Sequence, residues 1–113
     1  MTIDYESAKK KALDFRDERD WSQFHNPKDL AISLSLEASE LLECFQWSGA
    51  DLDVAKKRPK MEEELADVVI YAILLADRIG ANIPEIVGRK IDANAKKYPV
   101  EKARGNARKY DEL

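Results

Sequence analysis

Two short acidic motifs lie next to strongly apolar helical stretches, and they limit the folds open to this chain more than any other feature. The run from residue 68 to 76 holds no charged residue, and a helix that is apolar nearly all round is a buried helix. Glu64 and Asp67 directly precede this run, and Glu37 and Glu40 lie in a second apolar stretch. Buried carboxylates without a positive partner are very costly. The pattern therefore predicts packed helices that hold a cation between them.

The positions of proline and glycine predict four helices, at about residues 2–20, 27–48, 60–79 and 84–97. Pro27 and Pro84 suit the first turn of a helix, and Gly49 and Gly80 suit the residue after a helix end. No alternation with a period of two, and no internal repeat, indicates strands. We expect an all-α, four-helix bundle-like protomer. It forms a single domain over residues 1–113, with residues 100–113 as an irregular basic tail.

Apolar content, net charge and cysteine content indicate which partners and which cellular compartment to expect for this domain. The third predicted helix has more apolar surface than so short a chain can cover, which predicts a homodimer or a homotetramer built from two dimers. A net charge of −3 disfavours general nucleic-acid binding. No apolar run reaches the roughly 20 residues of a membrane span, and residues 1–6 lack the profile of a signal peptide. Cys44, the one cysteine, cannot form an internal disulfide, so we expect a cytoplasmic protein.

The acidic motifs predict a metal site for a polyphosphate. A single Glu-x-x-Glu is usually a solvated surface pair, but two such motifs on apolar helices can meet in a bundle interior. Oxygen ligands without nitrogen partners favour Mg²⁺, with Mn²⁺ as a substitute, over iron or zinc. Residues 89–109 hold eight basic and two acidic residues, a charge balance that suits phosphates. Such a run can equally be a solvated surface.

Aromatic residues add a candidate base pocket. Trp21, Phe24 and His25 lie in the predicted first connection, where a core role is the common alternative. The second predicted helix continues to residue 48, so Trp47 shares a stripe with Glu37 and lies about 15 Å along the axis. That is about the length of a triphosphate plus its sugar. A base could then stack on the indole while metal-bound phosphates lie on the carboxylates.

These motifs together resemble the MazG-like all-α nucleoside triphosphate pyrophosphohydrolases, and within them the dCTP pyrophosphatase branch. The resemblance covers residues from about 20 to the end of the chain. It is carried by both acidic motifs and by four further segments, Trp21-Ser-Gln-Phe-His25, Leu41-Leu-Glu-Cys-Phe-Gln-Trp47, Lys90-Ile-Asp-Ala-Asn94-Ala-Lys-Lys-Tyr98-Pro99 and Lys102-Ala-Arg-Gly-Asn-Ala-Arg-Lys-Tyr110.

The resemblance implies Mg²⁺-dependent cleavage of a nucleoside triphosphate, dCTP or a modified dCTP, to the monophosphate and pyrophosphate, as in clearance of the nucleotide pool. It implies Glu37, Glu40, Glu64 and Asp67 as metal ligands, with Glu37 or Glu40 as the base that accepts the proton of water. It implies a substrate site made of two groups. The base and sugar side has Trp21, Ser22, Gln23, Phe24, His25, Trp47, Asp67 and Tyr71, and the phosphate side has Lys90, Asn94, Lys97 and Tyr98.

Two departures from the branch pattern bear on the base preference. Ala12 stands where related dCTP pyrophosphatases carry a histidine, and Lys97 replaces an arginine, which keeps the charge but loses the planar fork suited to phosphate. Two alternatives remain open on the sequence, a non-catalytic nucleotide-binding module and a structural helical oligomerisation module. Neither gives a reason for four acids on apolar helices.

Overall fold

The computed structural model describes residues 2–113, and all regular structure in that range is helical, which confirms the predicted all-α class. The chain divides into two compact units, one ending at Gly80 and one spanning Ala81–Leu113. A single domain over residues 1–113 stays a prediction. The helices are α1 (Tyr5–Glu18), α2 (Pro27–Glu43), α3 (Arg58–Ile79), α4 (Ile83–Lys97) and α5 (Val100–Ala103), with 3₁₀ turns at Trp21–Phe24, Ala55–Lys57 and Tyr110–Glu112.

Local capping explains where these helices begin. The Asp4 carboxylate accepts a hydrogen bond from the Ser7 N–H at 2.8 Å, so Asp4 caps the start of α1. Asn26 caps α2 by accepting from the Asp29 N–H at 2.8 Å, and Pro27 follows it as the first helical residue. Each cap satisfies one of the amide donors that a helix start leaves without an intrahelical partner.

The second helix is shorter than the sequence predicts. It ends at Glu43 rather than near residue 48, because the chain changes to tighter bonds between residues three apart: the Phe45 N–H donates to Leu42 O and the Gln46 N–H donates to Glu43 O. Trp47 then adopts a φ of 65°, in the left-handed region, which ends any helical continuation. The prediction that Trp47 shares a helical stripe with Glu37 is therefore wrong.

Helix α3 is the centre of the first unit, since both α1 and α2 pack against it. The buried apolar residues of this unit are Leu30, Cys44, Val54, Ile73, Leu74 and Ala76. The Arg16 guanidinium ties α1 to α3 through an ion pair with Asp77 at 2.8 Å. α3 is not covered all round: Leu65, Val69 and Ile70 are exposed. None of the helices described between residues 2 and 113 is both long and apolar enough to cross a lipid bilayer.

The second unit contains α4, α5 and the C-terminal 3₁₀ turn. Within it the rings of Tyr98 and Tyr110 meet edge to face with centroids 6.2 Å apart, and the Lys97 ammonium lies 4.9 Å from the Tyr110 ring centroid. These contacts join the end of α4 to the end of the chain. The segment from residue 100 to 113 thus includes a single helical turn and a 3₁₀ turn, although the sequence predicted an irregular tail.

Candidate functional site

Three carboxylates from two packed helices converge on one point of the first unit. Glu37 and Glu40 come from α2 and Glu64 comes from α3, and one oxygen of each lies within 4.8 Å of the other two. We call these three residues the carboxylate cluster. The spacing of three places Glu37 and Glu40 on one face of α2, and the packing of α2 on α3 brings that face to Glu64. The geometry is of the size needed to surround a single cation.

Two oxygens of the cluster have an unsatisfied bonding capacity. Glu37 Oε2 and Glu64 Oε2 are buried, and no atom of residues 2–113 gives them a hydrogen bond. Glu64 is only 5% exposed. A buried carboxylate oxygen without a partner is costly, and a hard divalent cation is the partner that such oxygens suit best. The donor set therefore fits a hard divalent cation.

Lys60 is a cluster neighbour that the sequence prediction missed. Its ammonium lies 2.9 Å from Glu64 Oε1, the oxygen opposite the unpartnered one. The residues are four apart on α3, a spacing at which helical side chains meet, so the sequence carried a signal for this pair.

The charges of the cluster change the protonation of its members. Hydrogen bonding with Glu37, then with Glu64, and the negative charge of both neighbours raise the pKa of Glu40 to about 7. The hydrogen bond from Lys60 lowers the pKa of Glu64, against the opposing effect of its burial. Like charges at this distance resist joint ionisation. The raised pKa of Glu40 thus follows from the convergence of three carboxylates on one point.

An open cavity of about 500 Å³ adjoins the cluster. Glu40 and Glu64 reach its wall, and Glu43, Cys44, Lys57 and Lys60 complete the lining. We call it the acidic cavity. Cys44, the residue that follows the end of α2, is a buried free thiol. The wall combines carboxylates with two ammonium groups, which is a suitable surface for a metal ion together with phosphate oxygens.

Asp67 lies apart from the carboxylate cluster. The sequence predicted four carboxylates around the metal, yet Asp67 does not join the group of three in the part of the chain that the structure describes. Its side chain lines a different cavity. Glu64 and Asp67 are about one helical turn apart on α3, and the cavity that Asp67 lines is formed together with residues of α1 rather than of α2. A ligand role for Asp67 stays a prediction.

The second cavity, about 480 Å³, is mostly apolar and lies between α1, the first 3₁₀ turn and α3. We call it the aromatic cavity. Trp21 stands on its wall with its ring edge to face against Phe15, centroids 5.6 Å apart. The other lining residues are Ile3, Ala8, Lys11, Ala12, Arg16, His25, Asp67, Ile70, Tyr71 and Leu74.

His25 is the polar group of this cavity with the clearest unmet bonding capacity. Its Nδ1 is buried, and residues 2–113 supply no hydrogen bond to it. Burial, and then the nearby positive charge of Arg16, lower the pKa of the imidazole. A neutral imidazole in a cavity with aromatic walls can accept or donate one hydrogen bond to a ligand.

The predicted base-side residues therefore have different places. Trp21, His25, Asp67 and Tyr71 line the aromatic cavity together. Ser22, Gln23 and Phe24 belong to the same 3₁₀ turn but not to the lining: Phe24 is 64% exposed, and the Gln23 amide donates to Asp20. Trp47 is 92% exposed and lines neither cavity. Substrate roles for all eight of these residues stay predictions.

The predicted phosphate-side residues all belong to the second unit. Lys90, Asn94 and Lys97 lie on α4, and Tyr98 is the residue that ends it. Lys90 and Asn94 are four residues apart and share a helix face. Lys97 and Tyr98 both contact Tyr110, as described above. Their role in binding phosphate stays a prediction.

Known proteins resemble this chain in sequence and in fold. The MazG-like family matches residues 32–113. dCTP pyrophosphatase 1 of Mus musculus is 41% identical over an alignment covering 96% of this chain and 66% of the mouse protein, and that of Homo sapiens is 40% identical with the same coverage. The chain thus spans about two thirds of the length of these relatives.

A solved structure gives the same picture. The crystal structure of a pyrophosphatase from Archaeoglobus fulgidus DSM 4304 superposes with a TM-score of 0.77 at 42% sequence identity, covering 88% of this chain and 95% of that one. At this identity the likeness extends beyond the helical fold to the sequence itself.

Proposed function

Because the chain belongs to the MazG-like family, we propose that it hydrolyses a nucleoside triphosphate to the monophosphate and pyrophosphate with the help of Mg²⁺. The observation that carries this proposal is the convergence of Glu37, Glu40 and Glu64, two of which present buried oxygens without partners. The relatives named dCTP pyrophosphatase support dCTP, or a modified dCTP, as the substrate. Removal of unwanted nucleotides from the pool is the role that follows.

The proposed metal site consists of the carboxylate cluster, with Mn²⁺ as a substitute for Mg²⁺. When bound, the cation neutralises phosphate oxygens and lowers the pKa of a water ligand. Glu37 and Glu40, on the α2 side of the cluster, are the candidates to accept the proton of the attacking water. Glu64 is almost fully buried on α3, so its part is to hold the cation in place.

The aromatic cavity is the proposed site for the base and sugar. Trp21 offers a ring for stacking, and His25 and Asp67 offer polar groups on the same wall. Tyr71 lies one turn of α3 beyond Asp67, on the same face. Stacking of a base on an aromatic side chain is worth about 1–3 kcal/mol. The phosphate contacts are assigned to Lys90, Asn94, Lys97 and Tyr98, on the family resemblance alone.

We also propose a homo-oligomer, either a dimer or a tetramer built from two dimers. Exposed apolar pairs four residues apart support it, Ile32 with Leu36 on α2 and Leu65 with Val69 on α3. Contiguous apolar surface of this kind marks an interface. Leu65→Glu should lower the molar mass in light scattering. Leu52→Glu, at an exposed residue of the connection before α3, should leave it unchanged. An unchanged molar mass in both variants would contradict this interface.

A cytoplasmic location of the protein stays a prediction.

The enzymatic proposal is tested by pyrophosphate release from a panel of nucleoside triphosphates. We expect release in the presence of Mg²⁺, the highest kcat/KM for a cytosine nucleotide, and no release in excess EDTA. Equal rates across the bases would remove the dCTP assignment and leave a general pyrophosphohydrolase. No release from any nucleotide, with Mg²⁺ or Mn²⁺ present, would contradict the proposed reaction and favour a nucleotide-binding or structural module.

A further inference from the structure

Lys60 has an ion pair with a member of the carboxylate cluster that differs from the other ion pairs of α3. The Lys60 ammonium lies 2.9 Å from Glu64 Oε1 and 3.7 Å from Glu63 Oε2. The Lys60 side chain is 61% exposed, whereas that of Glu64 is 6% exposed. A flexible, largely solvated cation is therefore held on an almost fully buried carboxylate.

An ordinary helix-stabilising pair does not explain this arrangement well. A lysine that precedes a glutamate by four residues is in the less favourable order, and a cation in the first turn opposes the helix dipole. Arg58 and Glu62 provide a comparison at the start of the same helix. They have the same spacing and order at 3.3 Å, but their side chains are 79% and 66% exposed. What distinguishes Lys60 is its partner, which faces Glu37 and Glu40.

The charges of the cluster explain why a cation is held there. Three carboxylates converge, and Glu37 Oε2 and Glu64 Oε2 have no hydrogen-bond partner among residues 2–113. Lys60 compensates one oxygen of Glu64 and leaves the other free. Because its stem is long and its head is solvated, the ammonium can move away at little cost in hydration.

We infer that Lys60 is the counter-ion of the carboxylate cluster in the metal-free protein, and that a divalent cation binds there against the positive charge of Lys60. The inference rests on the metal site of the proposed function. It has two opposite consequences. Without metal, Lys60 stabilises the fold by reducing repulsion among the carboxylates. With metal, the same charge opposes the ion and weakens its binding.

Lys60→Met separates these consequences, and Arg58→Met is the matched control. In EDTA and at low ionic strength, we expect Lys60→Met to melt at a lower temperature than the parent protein and Arg58→Met to melt close to it. In calorimetric titration with Mg²⁺ or Mn²⁺, Lys60→Met should bind up to about fivefold more tightly, the upper end of what an exposed ion pair contributes. High salt should reduce the gain, and Lys60→Arg should restore the parent values.

The titration distinguishes failure of this inference from failure of the proposed function. If the parent binds Mg²⁺ and Lys60→Met binds with the same or weaker affinity, Lys60 is not the competing charge, while the metal site stands. If Lys60→Met and Arg58→Met show equal changes in affinity, the effect is one of net charge, and the inference is overturned. If neither the parent nor any variant binds a divalent cation, both the inference and the metal site are overturned.

Discussion

The acidic cavity and the aromatic cavity both use α3 as a wall, yet they differ in what that helix presents. On one side Glu64 meets two acids of α2 and a lysine, and on the other Asp67, Ile70 and Tyr71 meet the apolar face of α1 and an indole. The change takes place within three residues of one helix. Neighbouring positions on a helix can therefore serve different chemistry, because the element packed against each face decides its surroundings.

The largest expected effect comes from removing a charge from the acidic cavity. Glu40→Gln keeps the size of the side chain but takes away a candidate metal ligand and base, so kcat should fall on the order of 100-fold or more. Circular dichroism should show an unchanged helix content. Glu43→Gln is the control, since Glu43 lines the same cavity outside the cluster. Equal rates for parent and Glu40→Gln would separate the cluster from catalysis.

A change in the aromatic cavity should instead affect substrate affinity and base preference. Trp21→Ala removes a stacking surface worth about 1–3 kcal/mol per base, so kcat/KM should fall roughly tenfold or more. The effect should lie mainly in KM, and Mg²⁺ affinity should be unaltered. Ile79→Ala, at an exposed residue of α3 outside both cavities, should change little. If the two variants have equal effects, the aromatic cavity is not the binding site of the base.

Substitution of Asp67 tests whether this residue acts in the aromatic cavity or as a ligand of the metal. If it belongs with the aromatic side, Asp67→Asn should lower kcat/KM by roughly tenfold, the loss expected for one hydrogen bond to a charged group. The dissociation constant of the Asp67→Asn variant for Mg²⁺ should stay close to that of the parent protein, whereas Glu64→Gln should clearly weaken Mg²⁺ binding. Titration of both variants checks this. A loss of Mg²⁺ affinity in Asp67→Asn as large as in Glu64→Gln would return Asp67 to the ligand set.

The smallest expected effect concerns the protonation of His25. Because burial and Arg16 lower its pKa, the folded state binds a proton less readily than the unfolded chain. Protonation therefore favours unfolding, and this contribution to the free energy of unfolding is lost as pH falls from 6.5 through the lowered pKa. His25 is the one histidine, so its imidazole resonances can be followed alone in an NMR titration. A midpoint at or above 6.5 would contradict the buried environment.

The sequence predicted the parts of this picture that depend on one helix at a time. Apolar periodicity and the proline and glycine positions predicted the all-α class. The spacing of Glu37 and Glu40 was enough to place both on one face. The pair of acidic motifs also predicted that acids of α2 and α3 would meet. Glu64 of α3 does meet Glu37 and Glu40 of α2.

Other features depend on how helices pack, which spacing does not determine. Nothing in the Glu64-x-x-Asp67 motif distinguishes the residue that faces α2 from the residue that faces α1. The early end of α2, which moves Trp47 off the predicted stripe, depends on tight turns after Glu43. The sequence shows that Lys60 lies four residues before Glu64. The importance of this pair, however, depends on the burial of Glu64 and on the nearness of Glu37, which are tertiary properties.

The most direct test of the carboxylate cluster is a crystal soaked in Mn²⁺ and measured for anomalous scattering. The cluster predicts a peak bounded by the carboxylate oxygens of Glu37, Glu40 and Glu64, and its loss in Glu64→Gln crystals soaked in the same way. A map in which Mn²⁺ is absent from these three side chains, or is bound only elsewhere on the protein, would contradict the metal site and the reaction proposed from it.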